Sequence, residues 1–183
     1  QCKGMKFYCG RHEAAAVMMA EASAKLKNHI GVVVVTTGPG GMNALSGLLE
    51  CWVDSTPVLV ISGQVESQLV TSSVRSFGVQ GFDITTSAKQ ITKYCVKVDD
   101  PNSIRYHLER ALYESQRGRP GPAWLDIPID IQSREIDPKS LEGFAAKADY
   151  ANSQFTNFSS LLEQLALAER PLLVIGQGIR QAM

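Results

Sequence analysis

The chain has 183 residues, 44% of them hydrophobic, with 18 Lys+Arg balanced by 18 Asp+Glu. That length allows one domain and the start of another, and the zero formal charge argues against a nucleic-acid surface or a polybasic membrane contact. No apolar run approaches the roughly 20 residues that span a bilayer.

In chain order, residues 5–9 (with the run Lys6-Phe7-Tyr8-Cys9) read as a strand, and the small-residue stretch 12–26 as a helix with Glu13 at its start. Residues 31–36 form a second strand, followed by the turn Gly38-Pro39-Gly40-Gly41 and a helix over 41–53. A third strand covers 58–62. Val32 to Val35 and Val58 to Ile61 are continuous apolar runs, which suits parallel strands covered on both faces. The polar stretch 63–80 reads as a long functional or mobile loop at the carboxyl edge of the sheet. A short helix falls within 84–93, a strand at 94–98, a helix at 101–117 opened by Asp100 and Pro101, and a last strand at 123–128. Residues 133–154 are polar and mixed and read as a linker; 158–167 is an amphipathic helix, and 172–175 an apolar strand. The alternation of strands and helices predicts an α/β fold, a doubly wound parallel sheet followed by the beginning of a second α/β domain. The chain opens on Gln1 just before a strand and closes one turn after another, which predicts a piece of a longer protein.

Cys2, Cys9, Cys51 and Cys95 include no CxxC pair and no His at metal-ligand spacing. They read as buried hydrophobes or free thiols in a reducing compartment, the cytoplasm or an organelle interior with reduced thiols. His12, His29 and His107 lack spaced partners and read as structural, and Trp52 and Trp124 as core or interface aromatics.

A glutamate on one strand–helix junction and a glycine-rich turn on the next would lie side by side at the carboxyl edge, where open α/β sheets place ligands. The turn is no Walker A loop, since no Lys follows it. It is also a poor dinucleotide fingerprint, because Asn43 stands at the third glycine and the next strand ends in Ser62-Gly63-Gln64. It does offer close backbone approach and free N–H groups at a helix N-terminus.

Seven segments recur in fixed order in one family. They are Arg11-His12-Glu13; Thr37-Gly38-Pro39-Gly40 with Asn43; Asp54-Ser55-Thr56-Pro57; Ile61-Ser62-Gly63-Gln64; Phe77-Gly78-Val79-Gln80; Thr92-Lys93; and Gly118-Arg119-Pro120-Gly121-Pro122 followed by Leu125-Asp126-Ile127-Pro128. Through them the chain resembles the pyrimidine-binding domain of thiamine-diphosphate enzymes, most of all the acetolactate synthase-like group. The resemblance implies a pyrimidine-binding domain over 1–132 that lacks its first strand and helix, a linker over 133–154, and the start of a central domain over 155–183. It implies thiamine diphosphate as cofactor, with Mg²⁺ ligands in a domain outside this chain; FAD is left open, because some relatives bind it in the central domain.

The resemblance also implies roles. A carboxylate at Glu13 would bond the ring nitrogen N1′ of the cofactor's aminopyrimidine and so favour the imino tautomer of its amine. For that exchange near neutral pH the acid should be partly buried and its pKa raised. Thr37, Gly38, Pro39 and Asn43 would line the pyrimidine pocket, and Gln80 would point toward cofactor and substrate. Acetolactate synthases carry an aromatic just before that glutamine and an acid just after it. Here the neighbours are Val79 and Gly81, a departure near the substrate. The implied whole is a homodimer or homotetramer acting on a small 2-oxo acid as decarboxylase or carboligase, the part seen here being inactive alone. A non-catalytic binding or regulatory module of the same fold is the alternative, and Glu13 discriminates, since an inactive relative is free to lose it.

Overall fold

A computed structural model describes residues 4–70, 73–146 and 158–181. The first compact unit ends at Ala145, and the second holds the remainder. The first is an all-parallel sheet with helices on both faces, as the element order predicts. Its strands are β1 (Gly31–Val35), β2 (Val58–Gln64), β3 (Tyr94–Lys97) and β4 (Ala123–Pro128), in the order β1-β2-β4-β3.

Helices α1 (Glu13–Lys27), α2 (Pro39–Val53) and α3 (Ile84–Ala88) cover one face. Val17, Ala44, Leu48, Val60, Ile84 and Trp124 form the core between them and the sheet, all with no exposure. Helix α4 (Ile104–Gln116), entered through a 3₁₀ turn at Pro101–Ser103, covers the other face over Leu59, Ala123 and Leu125. Helix starts follow local chemistry: the His12 ring accepts from the Ala14 amide, Pro39 takes the first turn of α2, and Asp83 accepts from the Thr85 amide. The short α5 (Ile129–Gln132), not expected from the sequence, follows β4 directly. No helix among the described residues is long and apolar enough to cross a membrane.

Three local expectations are corrected. Residues 5–9 form no ladder with any described strand, and Phe7 and Tyr8 stay exposed. An apolar run makes a strand only when a neighbour takes its hydrogen bonds. Residues 172–175 likewise form no ladder; in the chain they lie between α6 (Ser159–Leu167) and α7 (Gly178–Gln181) of the second unit. Strand β1 is covered on one face only: Val33 and Val35 are buried, but Val32 and Val34 are 57% and 72% exposed. β1 is a sheet edge, and α4 packs on β2, β3 and β4.

The stretch expected as a linker from residue 133 is in its first part packed. Leu141 is buried, Arg105 donates to its carbonyl, and the Phe144 amide donates to Glu109 at 2.7 Å. The Phe144 ring meets Tyr106 and Tyr113 on α4. These contacts carry the first unit to Ala145 rather than 132. Residues 147–157, most of the rest of that stretch, lie outside the described residues, as does Cys2. Cys51 is buried and its thiol is pushed up to about 12 by desolvation, whereas Cys9 is exposed.

Candidate functional site

The carboxyl ends of β1 and β2 open onto the starts of α1 and α2, and most of the expected site residues gather there. Glu13 is the first residue of α1. Asn43, in the first turns of α2, donates from Nδ2 to Glu13 Oε2 at 3.1 Å. The pairing joins two helix N-termini, where N–H groups without intrahelical partners favour an anion.

Burial does not raise this carboxyl, contrary to expectation. Glu13 is partly exposed, and the Asn43 amide, followed by a backbone N–H bond, holds its pKa below the ordinary value against a smaller desolvation effect. Asn43→Ala should therefore move the Glu13 pKa upward. A ¹³C-edited carboxyl titration reads this directly, and an unchanged midpoint would show that the bond does not govern the acid.

Two glycines shape the turn. Gly38 has φ +61°, and a Cβ there would sit 2.5 Å from the Val79 carbonyl oxygen. Only glycine allows both the backbone and the approach. A Cβ on Gly40 would sit 2.6 Å from Thr36 Cγ2 and 3.3 Å from Glu13 Oε1, so glycine lets the start of α2 pack closely against Thr36 and the carboxylate. The carboxylate is partly exposed and only one of its oxygens takes the Asn43 bond, and in this the residues present fit the ring nitrogen of an aminopyrimidine. Pro39 and Asn43 are exposed at the rim.

Thr37 is buried beneath the turn. Its Oγ1 lies 2.7 Å from the Gln80 carbonyl oxygen and 2.7 Å from Gln64 Oε1. The structure thus brings Gln80 to the turn by its backbone. The loop expected at 63–80 starts later, because β2 continues to Gln64. A 3₁₀ turn follows at Ser67–Leu69, and Asp130 on α5 pins it by accepting from the Ser67 amide at 2.9 Å and its hydroxyl at 3.1 Å.

Sequence reasoning assigned no role to a polar cluster beneath the site. Trp124 Nε1 donates to Ser62 Oγ at 2.8 Å, and Ser62 donates to Asp126 Oδ1. Gln64 Nε2 donates to Asp126 Oδ2 at 3.0 Å and to the Phe82 carbonyl at 3.0 Å. Ser62 and Asp126 are register partners on β2 and β4, and the period of two puts Gln64 and Trp124 on the same face. Desolvation pushes the Asp126 carboxyl up to about 6, against the bonds from Ser62 and Gln64. The available signal was an acid inside an otherwise apolar strand, which demands a partner. Among the described residues, no group of three or more His, Cys, Asp and Glu side chains is arranged to hold a metal ion.

Residues 1–92 match the thiamine pyrophosphate enzyme, N-terminal TPP binding domain. The acetolactate synthase large subunit of Haemophilus influenzae is 33% identical over 179 residues, covering 96% of this chain and 30% of that protein. The corresponding subunit of Lactococcus lactis is 32% identical over 181 residues, with 97% and 30% covered. A probable acetolactate synthase large subunit of Methanocaldococcus jannaschii is 30% identical over 177 residues, with 92% and 29% covered. The chain spans about 30% of the length of these curated relatives.

Proposed function

The chain belongs to the thiamine pyrophosphate enzyme family, and on that footing we propose that it supplies the pyrimidine-binding part of a thiamine-diphosphate-dependent decarboxylase or carboligase of acetolactate synthase type, acting on a small 2-oxo acid. The observation that carries this reading is the Glu13 carboxylate, set between two helix N-termini, held by Asn43 and partly exposed. Thiamine diphosphate, when bound, supplies an electron sink for cleavage and formation of carbon–carbon bonds next to a carbonyl.

The chain's own residues orient that group and handle one proton. Glu13 holds the proton shared with ring nitrogen N1′, and Asn43 fixes the carboxylate's direction. Pro39 and Gly38 shape the rim, Thr37 ties the Gln80 backbone to it, and Gln80 belongs to the substrate side. The Asn43 amide, followed by a backbone N–H bond, holds the Glu13 pKa low in this chain. A second protein surface over the two N-termini would add desolvation and raise it.

Helices α1 and α2 present an outer face suited to such a cover. Met18, Met19, Met42, Leu49 and Trp52 are 38–48% exposed there, while Ala44, Gly47 and Cys51 point inward and are buried. We assign this face to a second copy, giving a homodimer or a higher homo-oligomer, with Mg²⁺ and the diphosphate held outside this chain. Calorimetric titration of the whole protein with thiamine diphosphate and Mg²⁺, and separately with NAD, tests the reading. Binding of the first alone is expected, with sedimentation as a dimer or larger; binding of NAD alone, or a fully active monomer, would overturn it.

A further inference from the structure

Asp126 has no exposure and sits inside β4 among Trp124, Leu125 and Ile127. A buried carboxylate is costly unless donors meet it. Ser62 and Gln64 do so, one at each oxygen. An ionised carboxylate only accepts, and therefore decides which way round the Gln64 amide lies. With Nε2 turned to Asp126, the same nitrogen reaches the Phe82 carbonyl, and Oε1 accepts from the Val65 amide at 2.9 Å and from the Thr37 hydroxyl at 2.7 Å. Thr37 also touches the Gln80 carbonyl, and Val79 and Gln80 close on Gly38. Through Gln64 Nε2 a continuous run of bonds joins the sheet interior to the Phe82 carbonyl, and the single Thr37 hydroxyl proton lies between Gln64 Oε1 and the Gln80 carbonyl oxygen, serving one of them at a time.

We propose that Asp126 is a positioning residue: by dictating the orientation of the Gln64 amide it holds the backbone of residues 80–82, and with it Gln80, against the glycine turn of the cofactor pocket. The structural part stands on the bonds just named; the word cofactor rests on the function proposed above.

Charge relocation separates this role from plain packing. Asp126→Asn puts an NH₂ where Gln64 needs an acceptor. Gln64 must then lose that bond or turn over. Turned over, it faces the Val65 N–H with another donor and leaves the Phe82 carbonyl without one. In the double variant Asp126→Asn, Gln64→Glu the carboxylate moves one link outward. The new amide at position 126 keeps an acceptor for Ser62 and donates to the new carboxylate at position 64, which again accepts from Val65 and Thr37 but has no donor for the Phe82 carbonyl. A merely structural need for an acid at 126 would leave the double variant as impaired as the single.

The measurements, made on the whole protein, are amide hydrogen exchange at Val65 and at residues 80–82, and the Kd for thiamine diphosphate. We expect Asp126→Asn to lose about tenfold in Val65 protection and about tenfold in affinity, and the double variant to return within about threefold of wild type in Val65 protection, with residues 80–82 and affinity not restored because the Phe82 carbonyl lacks its donor. Unchanged exchange in the single variant, or no recovery at Val65 in the double, overturns the proposal. Should the single variant fail to fold, the double decides: a protected Val65 amide supports the proposal, and an unprotected one or an unfolded protein refutes it. If the exchange pattern follows expectation but the wild type binds no thiamine diphosphate, the positioning role stands and the reading of the pocket falls.

Discussion

Glu13→Gln in the whole protein is expected to lower turnover by about 10²–10⁴-fold, the usual worth of a general acid–base step, with the fold retained. Gln has the reach of Glu and can still take the Asn43 bond, which now spans Asn43 Nδ2 and Glu13 Oε2 at 3.1 Å. It cannot hold and return a proton. The change should therefore fall on catalysis far more than on packing, since Glu13 is partly exposed and Gln keeps its size and shape. The direct reading is the rate of deuterium exchange at C2 of bound thiamine diphosphate in both proteins. Equal rates would remove Glu13 from the mechanism, whatever the steady-state loss. Exchange slowed in step with turnover, at unchanged cofactor affinity, would place the defect in the proton step.

The layout of this site was legible because its determinants are local. Glu13 begins a helix after a capping His12, and Gly38-Pro39 begins the next; two junctions on neighbouring elements of a parallel α/β unit must meet at one sheet edge. The protonation state was not legible. It depends on a side chain 30 residues away, Asn43, and on how much water reaches the acid. The runs at 5–9 and 172–175 show the same limit for structure, because apolar content cannot say whether a partner strand lies alongside. Likewise Phe144 ends up on Tyr106 and Tyr113 in a stretch whose composition resembles a linker. Asp126 was visible only as one letter in a family motif; its meaning came from cross-strand register with Ser62.

Asp126 should also leave a mark on stability against pH, opposite in sign to that of most paired carboxylates. Its carboxyl stands at about 6 in the folded chain, against 3.8 for the ordinary group, because desolvation outweighs the bonds from Ser62 and Gln64. Asp83 adds to the rise and Lys97 opposes it. Between these two values the native state binds more protons than the unfolded state, so unfolding free energy falls as pH rises through the window. Ionised Asp126 then costs about 3 kcal/mol at neutral pH, roughly two pKa units at 1.36 kcal/mol each, and that cost disappears below about pH 4. Glu13, Glu109 and Asp130 have lowered carboxyls. Their stabilisation is complete above the ordinary carboxylate range and is lost only as pH falls through and below it. Acidifying from pH 7 to 5 should thus stabilise wild type relative to Asp126→Asn. Urea midpoints of the two whole proteins, followed by tryptophan fluorescence because Trp124 belongs to the network, give the difference directly. A pH-independent difference would show that Asp126 is not the titrating group. Protonated Asp126 gains a donor and stops dictating the Gln64 amide, so thiamine diphosphate affinity should weaken over the same interval in which the fold grows firmer. A buried acid kept ionised at neutral pH, at a cost to stability, is then understood by what it holds in place at the rim of the pocket.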